Sequence, residues 1–492
     1  MNSLTHGGSE GARRFPDGFV WGVGTSSYQI EGAVDADGRA PSIWDVFAHT
    51  PGRTNRGDTG DIACNSYNQL EDDVRLLSEL GVGAYRFSVS WPRVLPSGSG
   101  AVNQPGLDYY RRLVDRLNRS GIKPVVTIYH WDLPQALEER GGWVNRDTAQ
   151  HLGELATLLA GALGDQAAMW VTINEPLQTV QQGYRTGTHA PGHSDPELAA
   201  AALHHILLGH GYALQALRAQ LPGAVIGPTM DPQPFEALDA ESQAVADALD
   251  AEYNRAYLDP VLRGSYPPDL RSDLRPPESL IQDGDMELIS APIDFFGLNY
   301  YRPHYVRGGD ASNLRLGETA IPDHPGTVLY LPPEMPRTVM GWPIVPEGLR
   351  DLLIRLHRES DGLPIYVTEN GCAADDYLTP EGTVEDHERI DFIQGHLEAA
   401  FEAIRAGVNV AGYFHWSLMD NFEWAEGYRR RFGLHYVEFG SGRRVPKRSA
   451  QFYRQVALTG ELPPSAAAFL ATADAPAAEA GEPEIPEAPA AV

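Results

Sequence analysis

The feature that most constrains the fold of this chain is an eightfold alternation of short apolar runs with longer helical patterns. The runs are "FVWGV" (Phe19–Val23), "AYRFSVS" (Ala84–Ser90), "KPVVTIYH" (Lys123–His130), "MWVTINE" (Met169–Glu175), "AVIG" (Ala224–Gly227), "DFFGLNYY" (Asp294–Tyr301), "LPIYVTE" (Leu363–Glu369) and "VAGYFHW" (Val410–Trp416). Each is rich in β-formers and short enough to be a buried strand. Between them lie stretches such as "LDYYRRLVDRLNRSG", with apolar residues at helical spacing and a glycine stop. Eight such units predict an α/β fold, a single (β/α)8 TIM barrel, rather than an open doubly wound sheet. An open sheet would normally carry a glycine-rich phosphate loop after its first strand, and "WGVGTSSYQ" does not follow G-x-G-x-x-G. At 492 residues the chain exceeds the roughly 250 typical of the barrel. The surplus lies in long βα loops, chiefly Asp231–Ile293 and Tyr301–Pro364.

The ends of the chain read differently. Residues 1–13 are expected to be a flexible leader, 14–470 the catalytic barrel, and 471–492, an Ala/Pro/Glu segment with little to pack, a disordered tail. A net charge of −28 opposes binding to DNA or RNA, so no nucleic-acid partner is expected. No apolar run approaches the roughly 20 residues of a membrane span, and "MNSLTHGGSEGARRF" has no apolar signal region. Cys64 and Cys372 have no metal-ligand spacing and read as reduced thiols. These features predict a cytoplasmic enzyme without a membrane partner.

Function shows at the strand ends, because this barrel delivers the C-terminal residue of each strand into one bowl. The ends present Arg86, then His130 and Trp131, Asn174 and Glu175, Asn299 with Tyr300 and Tyr301, Glu369 and Asn370, and Trp416. A lone glutamate after a strand is usually a solvated loop residue, but polar and aromatic groups at six ends together are not. Paired carboxylates can hold a metal or perform acid/base and nucleophilic work. A metal would need further oxygen or histidine ligands, whereas these ends offer mostly Asn, Tyr and Trp. Amides and carboxylates bond sugar hydroxyls and indoles cover the apolar face of a pyranose, so the pattern reads as a two-carboxylate glycosidase with no metal and no cofactor.

"TINEP" (Thr172–Pro176) and "YVTENG" (Tyr366–Gly371) resemble the acid/base and nucleophile signatures of glycoside hydrolase family 1, the β-glucosidases and their relatives. "FPDGFVWGVGTSSYQIEG", "YRFSVSWPR", "YHWDLP", "FGLNYY", "MGWPIVPEGL" and "WSLMDNFEWAEGYRRRFGL" extend the resemblance over nearly the whole folded chain, in order. The resemblance implies Glu175 as general acid/base and Glu369 as nucleophile, with Arg86 and Tyr301 holding Glu369 and Asn174 reaching the sugar 2-hydroxyl. It implies a sugar-binding set of Gln29, His130, Trp131, Asn299, Trp416, Glu423 and Trp424, an aglycone platform at Trp342, and Phe432 closing the pocket near the 6-hydroxyl. The implied activity is a retaining β-glycosidase, foremost a β-glucosidase acting on a small-molecule β-glycoside such as cellobiose, short cello-oligosaccharides or aryl glucosides.

Alternatives are a transglycosylase, a β-galactosidase or β-fucosidase of the same fold, and a non-catalytic carbohydrate-binding barrel. The intact pair Glu175 and Glu369 opposes the last. Glu423 opposes a 6-phosphosugar, and Glu175 in place of glutamine opposes a myrosinase-like enzyme. One departure from the family pattern is "DIACNSYNQLEDDV" (Asp61–Val74), where Ser66 and Asn68 stand where many relatives carry histidines. That segment is expected to be framework behind the first barrel helix.

Overall fold

A computed structural model describes residues 13–309, 314–321 and 324–473. Eight parallel strands close into a barrel: β1 (Val20–Gly24), β2 (Ala84–Ser88), β3 (Lys123–Tyr129), β4 (Met169–Asn174), β5 (Ile226–Met230), β6 (Phe296–Asn299), β7 (Ile365–Asn370) and β8 (Val410–Trp416). The strands follow one another around the ring in chain order, and β8 closes it by pairing with β1. All eight expected strands are present. Their residues are almost wholly buried, which is why they read as continuous apolar runs.

The barrel floor is filled by Ala84, Val125, Met169, Val171, Phe295 and Phe414, all buried. A ring as large as Phe414 fits because its neighbour is Gly22: a Cβ there would lie 2.3 Å from the ring. Outside the barrel some helices bury a single stripe, whereas Pro196–Gln220 is buried all round from Ala202 to Gly211. In Leu70–Leu80 the buried apolar residues are Val74, Leu76, Leu77 and Leu80, and the helix ends at Gly81 with φ of 73°.

Several boundaries differ from the sequence reading. The fifth strand runs to Met230 rather than stopping at Gly227, because Pro228 lacks only a donor and the strand still pairs through Thr229 and Met230. Arg13, expected in the leader, pairs in a short antiparallel ladder with Leu462. At the other end a helix covers Ala466–Ala473, past the expected start of the tail. The remaining leader and tail residues, 1–12 and 474–492, lie outside the described residues. The two long loops hold a four-stranded sheet of Phe235–Ala237, His304–Gly308, Glu318–Ala320 and Thr327–Tyr330, which the sequence reading did not contain. Among the described residues no helix is long and apolar enough to cross a membrane.

The Asp61–Val74 segment leads into the first turn of Leu70–Leu80 and packs against the stretch after β1, where the Cys64 and Ser66 N–H groups donate to the Ile30 carbonyl. Cys64 Sγ sits 3.1 Å from the Asp420 carbonyl oxygen, and Asp73 pairs with Arg444 at 3.0 Å.

Candidate active site

At the C-terminal end of the barrel lies a cavity of about 600 Å³. Glu175, Glu369, Tyr301, His130, Trp131, Asn299, Trp342, Trp416, Glu423, Trp424 and Phe432 line it. Gln29, Arg86 and Asn174 stand behind that lining, each with no exposed surface.

Glu369 is the fifth residue of β7, and its carboxylate is gripped from two sides. Arg86 Nη1 donates to Oε1 at 2.6 Å and Tyr301 Oη donates to Oε2 at 2.7 Å. Burial pushes this carboxyl up, and Arg86, Tyr301 and Asn299 oppose that by stabilising the charged form. The following residues explain the rest of the motif. Asn370 Nδ2 donates to the Tyr300 carbonyl at 2.7 Å, and its Oδ1 accepts from Tyr413 Oη at 2.6 Å, tying β7 to both neighbours. Gly371 passes so close to β8 that a Cβ would lie 1.9 Å from the Trp416 carbonyl oxygen.

Glu175 follows β4 and opens the next helical turn with φ of 46°, in the left-handed region that glutamate rarely occupies. Such backbone strain persists where the surroundings fix it, commonly at functional sites, and Trp131 (φ 76°) and Trp424 (φ 49°) share it here. Asn299 Nδ2 donates to Glu175 Oε1 at 2.7 Å, while Thr368 Oγ1 donates to Asn299 Oδ1 at 2.8 Å and fixes which way that amide points. The Glu175 carboxyl is raised well above the usual range by burial, then by the negative charge of Asp231, then by that of Glu369. Both carboxyls in the cavity are raised, Glu175 well above the usual range beside its acidic neighbours and Glu369 less so, where Arg86, Tyr301 and Asn299 oppose burial.

Asn174 ties the pair together. Its Oδ1 accepts from Arg86 Nη2 at 2.5 Å and from Asn299 Nδ2 at 3.2 Å, and its Nδ2 faces His130 Nε2 at 3.2 Å. His130 is held neutral by burial and by the charge of Arg86, so Nε2 accepts and the proton resides on Nδ1. That Nδ1 is buried and has no partner among the described residues.

The aromatic wall comes from β3, β8 and the loop after β8. Trp424 packs against Trp131 at 4.5 Å between ring centroids, and His130 stacks near Trp416 at 5.8 Å. Trp131 Nε1 donates to the Asn174 carbonyl at 3.1 Å. Gln29 Nε2 donates to the Phe422 carbonyl at 2.9 Å and lies 3.5 Å from Glu423 Oε2. Burial, then the charges of Glu369 and Glu426, push the Glu423 carboxyl up to about 8, which favours its uncharged form at neutral pH. The expected repulsion of a 6-phosphate by Glu423 is therefore weaker than its formal charge suggests. Phe432 and Trp342 flank Tyr301, at 6.2 and 5.4 Å between centroids.

The loop bearing Glu423 and Trp424 rests on buried charges. Asp420 accepts from Lys447 Nζ and Arg431 Nη1, each at 2.6 Å, and Lys447 also reaches Asp376 at 2.5 Å. Sequence reasoning missed this network, and it missed Asp231, the acid that follows β5 and lines the same cavity.

The family model for glycosyl hydrolase family 1 matches residues 12–461. The chain belongs to glycosyl hydrolase family 1. It is 43% identical over 449 residues to beta-glucosidase A of Thermotoga maritima, covering 90% of this chain and 98% of that protein. It is 45% identical over 455 residues to a bifunctional beta-D-glucosidase/beta-D-fucosidase of Bifidobacterium breve, covering 90% of this chain and 97% of that one. The solved structure of the family 1 β-glucosidase from Thermotoga maritima superposes with a TM-score of 0.86 at 42% identity, covering 92% of this chain and all of that one. This glycosyl hydrolase family 1 chain is a glycoside hydrolase of the β-glucosidase type, as the sequence motifs implied.

Proposed function

We propose that Glu369 is the nucleophile and Glu175 the acid/base of a retaining β-glucosidase acting on cellobiose, short cello-oligosaccharides and aryl β-glucosides. The observation that carries this is the opposite matching of the two carboxyls: Glu369 between Arg86 and Tyr301, Glu175 against Asn299 with Asp231 and Glu369 as its charged neighbours. In the first step a Glu369 oxygen bonds to the anomeric carbon while the glycosidic C–O bond breaks. The Glu175 proton passes to the departing oxygen. In the second step Glu175, now a carboxylate, takes a proton from water. The water oxygen bonds to the anomeric carbon, the bond to Glu369 breaks, and the β-sugar leaves.

The supporting residues take roles their contacts allow. Arg86 and Tyr301 keep Glu369 charged and aimed. Asn174 has a second amide proton for the 2-hydroxyl, a contact that strengthens as charge develops at the anomeric carbon. His130 Nδ1–H is a donor for a glucosyl hydroxyl. Trp416 and Trp424 cover the apolar face of the sugar, Glu423 with Gln29 behind it reads the hydroxyls at its far edge, and Phe432 closes that end. The cytoplasmic setting is supported by Cys64 and Cys372, both buried and unpaired.

The test is hydrolysis of 4-nitrophenyl β-D-glucoside by the wild type and by Glu369→Gly, with and without azide. The expected result is an active wild type and an inactive variant that azide revives, giving the α-glucosyl azide. Undiminished turnover by Glu369→Gly would overturn the assignment.

A further inference from the structure

Glu175 is pinned on both sides of its strained backbone. Its N–H donates to the Thr229 carbonyl of β5 at 2.9 Å, and its carbonyl accepts from the Gln178 N–H at 3.0 Å. The chain then runs without a break through Pro176–Gln178 into a wide helical turn, Thr179–Arg185. That turn is wound looser than an α-helix: the Thr186 N–H donates to the Gln181 carbonyl, five residues back, at 2.9 Å. A left-handed φ at a glutamate persists only where the surroundings fix it. What holds the turn therefore bears on where the Glu175 carboxyl points.

The turn is held from two faces. On one, Tyr184 Oη accepts from the Trp143 N–H at 2.9 Å and donates to Glu138 at 3.2 Å. On the other, Gln181 and Arg185, four residues apart, both donate to Glu252 Oε1, Gln181 at 3.5 Å. Glu252 lies in a second wide turn, Ala251–Arg255, in the long loop after β5. Arg185 is 5% exposed and Glu252 1%. Burial pushes the Glu252 carboxyl up, but His324 at 3.0 Å, Arg185, and Arg271 at 3.4 Å outweigh it and bring it below the ordinary range. Asp273 stands further off, 3.7 Å from Arg185.

Arg185 and Glu252 do not line the cavity, so neither meets a substrate there. Their placement instead closes a circuit. β5 holds Glu175, the turn leads from Glu175 to Arg185, and Glu252 ties Arg185 back to the loop after β5. A matched pair of buried charges resists displacement, because parting them leaves each charge without compensation.

We propose that the buried Arg185–Glu252 pair positions the acid/base: it fixes the turn that Glu175 opens, and so sets the aim of the proton passed to the departing oxygen. This rests on the reading of Glu175 above and goes beyond it. Arg185 and Glu252 are positioning residues, acting through the turn.

The experiment measures kcat/KM along a series of substituted phenyl β-D-glucosides whose phenols differ in acidity. The proteins are wild type, Arg185→Met, Arg185→Lys, Glu252→Gln and Glu175→Gln. A well-aimed acid matters more the poorer the leaving group. For Arg185→Met, which leaves Glu252 with His324 and Arg271, the expected loss is about 10- to 100-fold for the least acidic phenol. For the most acidic phenol it is expected to stay within about threefold. Glu252→Gln, reaching the pair from its other side, is expected to steepen the series in the same direction. Arg185→Lys keeps a cation beside Glu252 and is expected to recover most of the wild-type slope. A parallel loss along the series, or an unchanged slope, in Arg185→Met or Glu252→Gln would overturn the inference, since weakened folding or a disturbed pocket lowers every substrate alike. Glu175→Gln tells that failure from a failure of the reading beneath. If its own series is no steeper than wild type, the acid assignment falls and the inference with it.

Discussion

Arg86 and Glu369 meet at 2.6 Å in a place almost without solvent, the guanidinium fully buried and the carboxylate 3% exposed. Arg86 comes from β2 and Glu369 from β7, so closure of the barrel is what forms the pair. A buried charge of this kind is tolerable only because it is matched, and the match favours the charged form of Glu369, the proposed nucleophile, against the upward push of burial. Replacing Arg86 with Met removes the largest influence opposing the effect of burial on Glu369. The acid limb of kcat/KM for 4-nitrophenyl β-D-glucoside should then move up by about one to three pH units, because that limb reports ionisation of the nucleophile in the free enzyme. An unmoved acid limb in a folded Arg86→Met protein would show that Arg86 does not set the charge of Glu369.

Glu175 should control the opposite limb. Its carboxyl is raised by burial and by Asp231 and Glu369, so it stays protonated to higher pH than an ordinary glutamate and activity falls as it ionises. Glu175→Gln should abolish the alkaline limb. It should slow cellobiose hydrolysis by about 10²- to 10⁴-fold, the range for a general acid. A glucoside with a strongly acidic phenol as leaving group should lose far less in the glycosylation step, since its departure needs no proton. Rates measured across a leaving-group series check this; equal losses along the series would remove Glu175 from the role.

Asp132, beside the aromatic wall in "YHWDLP", gives a stability test with a definite sign. It is fully buried, takes one hydrogen bond from Ser27 Oγ at 2.7 Å, and leaves Oδ1 without a partner among the described residues. Burial lifts its carboxyl to about 7. An acid whose pKa is higher folded than unfolded makes stability fall as pH rises from the unfolded value, about 4, through 7. Asp132→Asn removes the charge that becomes costly, so it should stabilise the protein at pH 8 by about 1–2 kcal/mol and change little at pH 4. Thermal melts at the two pH values decide it, and a gain at pH 4 alone would reverse the sign.

Most of this architecture was legible because barrel strands are buried on both faces and write themselves as uninterrupted apolar runs, as in Ile365–Asn370. The fifth strand was legible only in part. Gly227 and Pro228 look like the start of a turn, and ending the strand there hid the acid at its true end, Asp231. The short strands of the two long loops, such as Phe235–Ala237, are half-exposed, so they carry no such run. Lys447 and Asp420 were illegible for another reason. A sequence shows charged residues without their partners, and these read as surface until the fold brings them together with no exposed area.

That buried pair should matter to the loop it anchors. Among the described residues, Lys447→Met leaves Arg431 as the cation paired with Asp420 and Arg389 as the cation paired with Asp376. Removing one member of a buried ionic cluster should cost about 3–5 kcal/mol, read as a lower midpoint in urea denaturation. The surviving folded protein should also show a raised KM for aryl glucosides, because Glu423 and Trp424 lose their footing. A loss of stability with KM unchanged would separate the network from the sugar-binding loop.

Gly371 offers the sharpest geometric test. The residue directly follows Asn370, which is locked to the Tyr300 carbonyl and to Tyr413, so β7 cannot retreat to make room. A methyl group at Gly371 would lie 1.9 Å from the Trp416 carbonyl oxygen, and both partners of that clash are backbone-bound. The strain must be relieved by moving either Glu369, two residues before, or Trp416, one wall of the proposed sugar site. A displacement of about 1 Å at a reacting group is enough for a loss near 10²-fold. Gly371→Ala should therefore lower kcat/KM by at least about that factor. It should also lower the melting temperature, since neither strand relaxes freely. Activity within a few-fold of wild type would mean that the two strands part without disturbing either residue, and that the glycine is not what sets their approach.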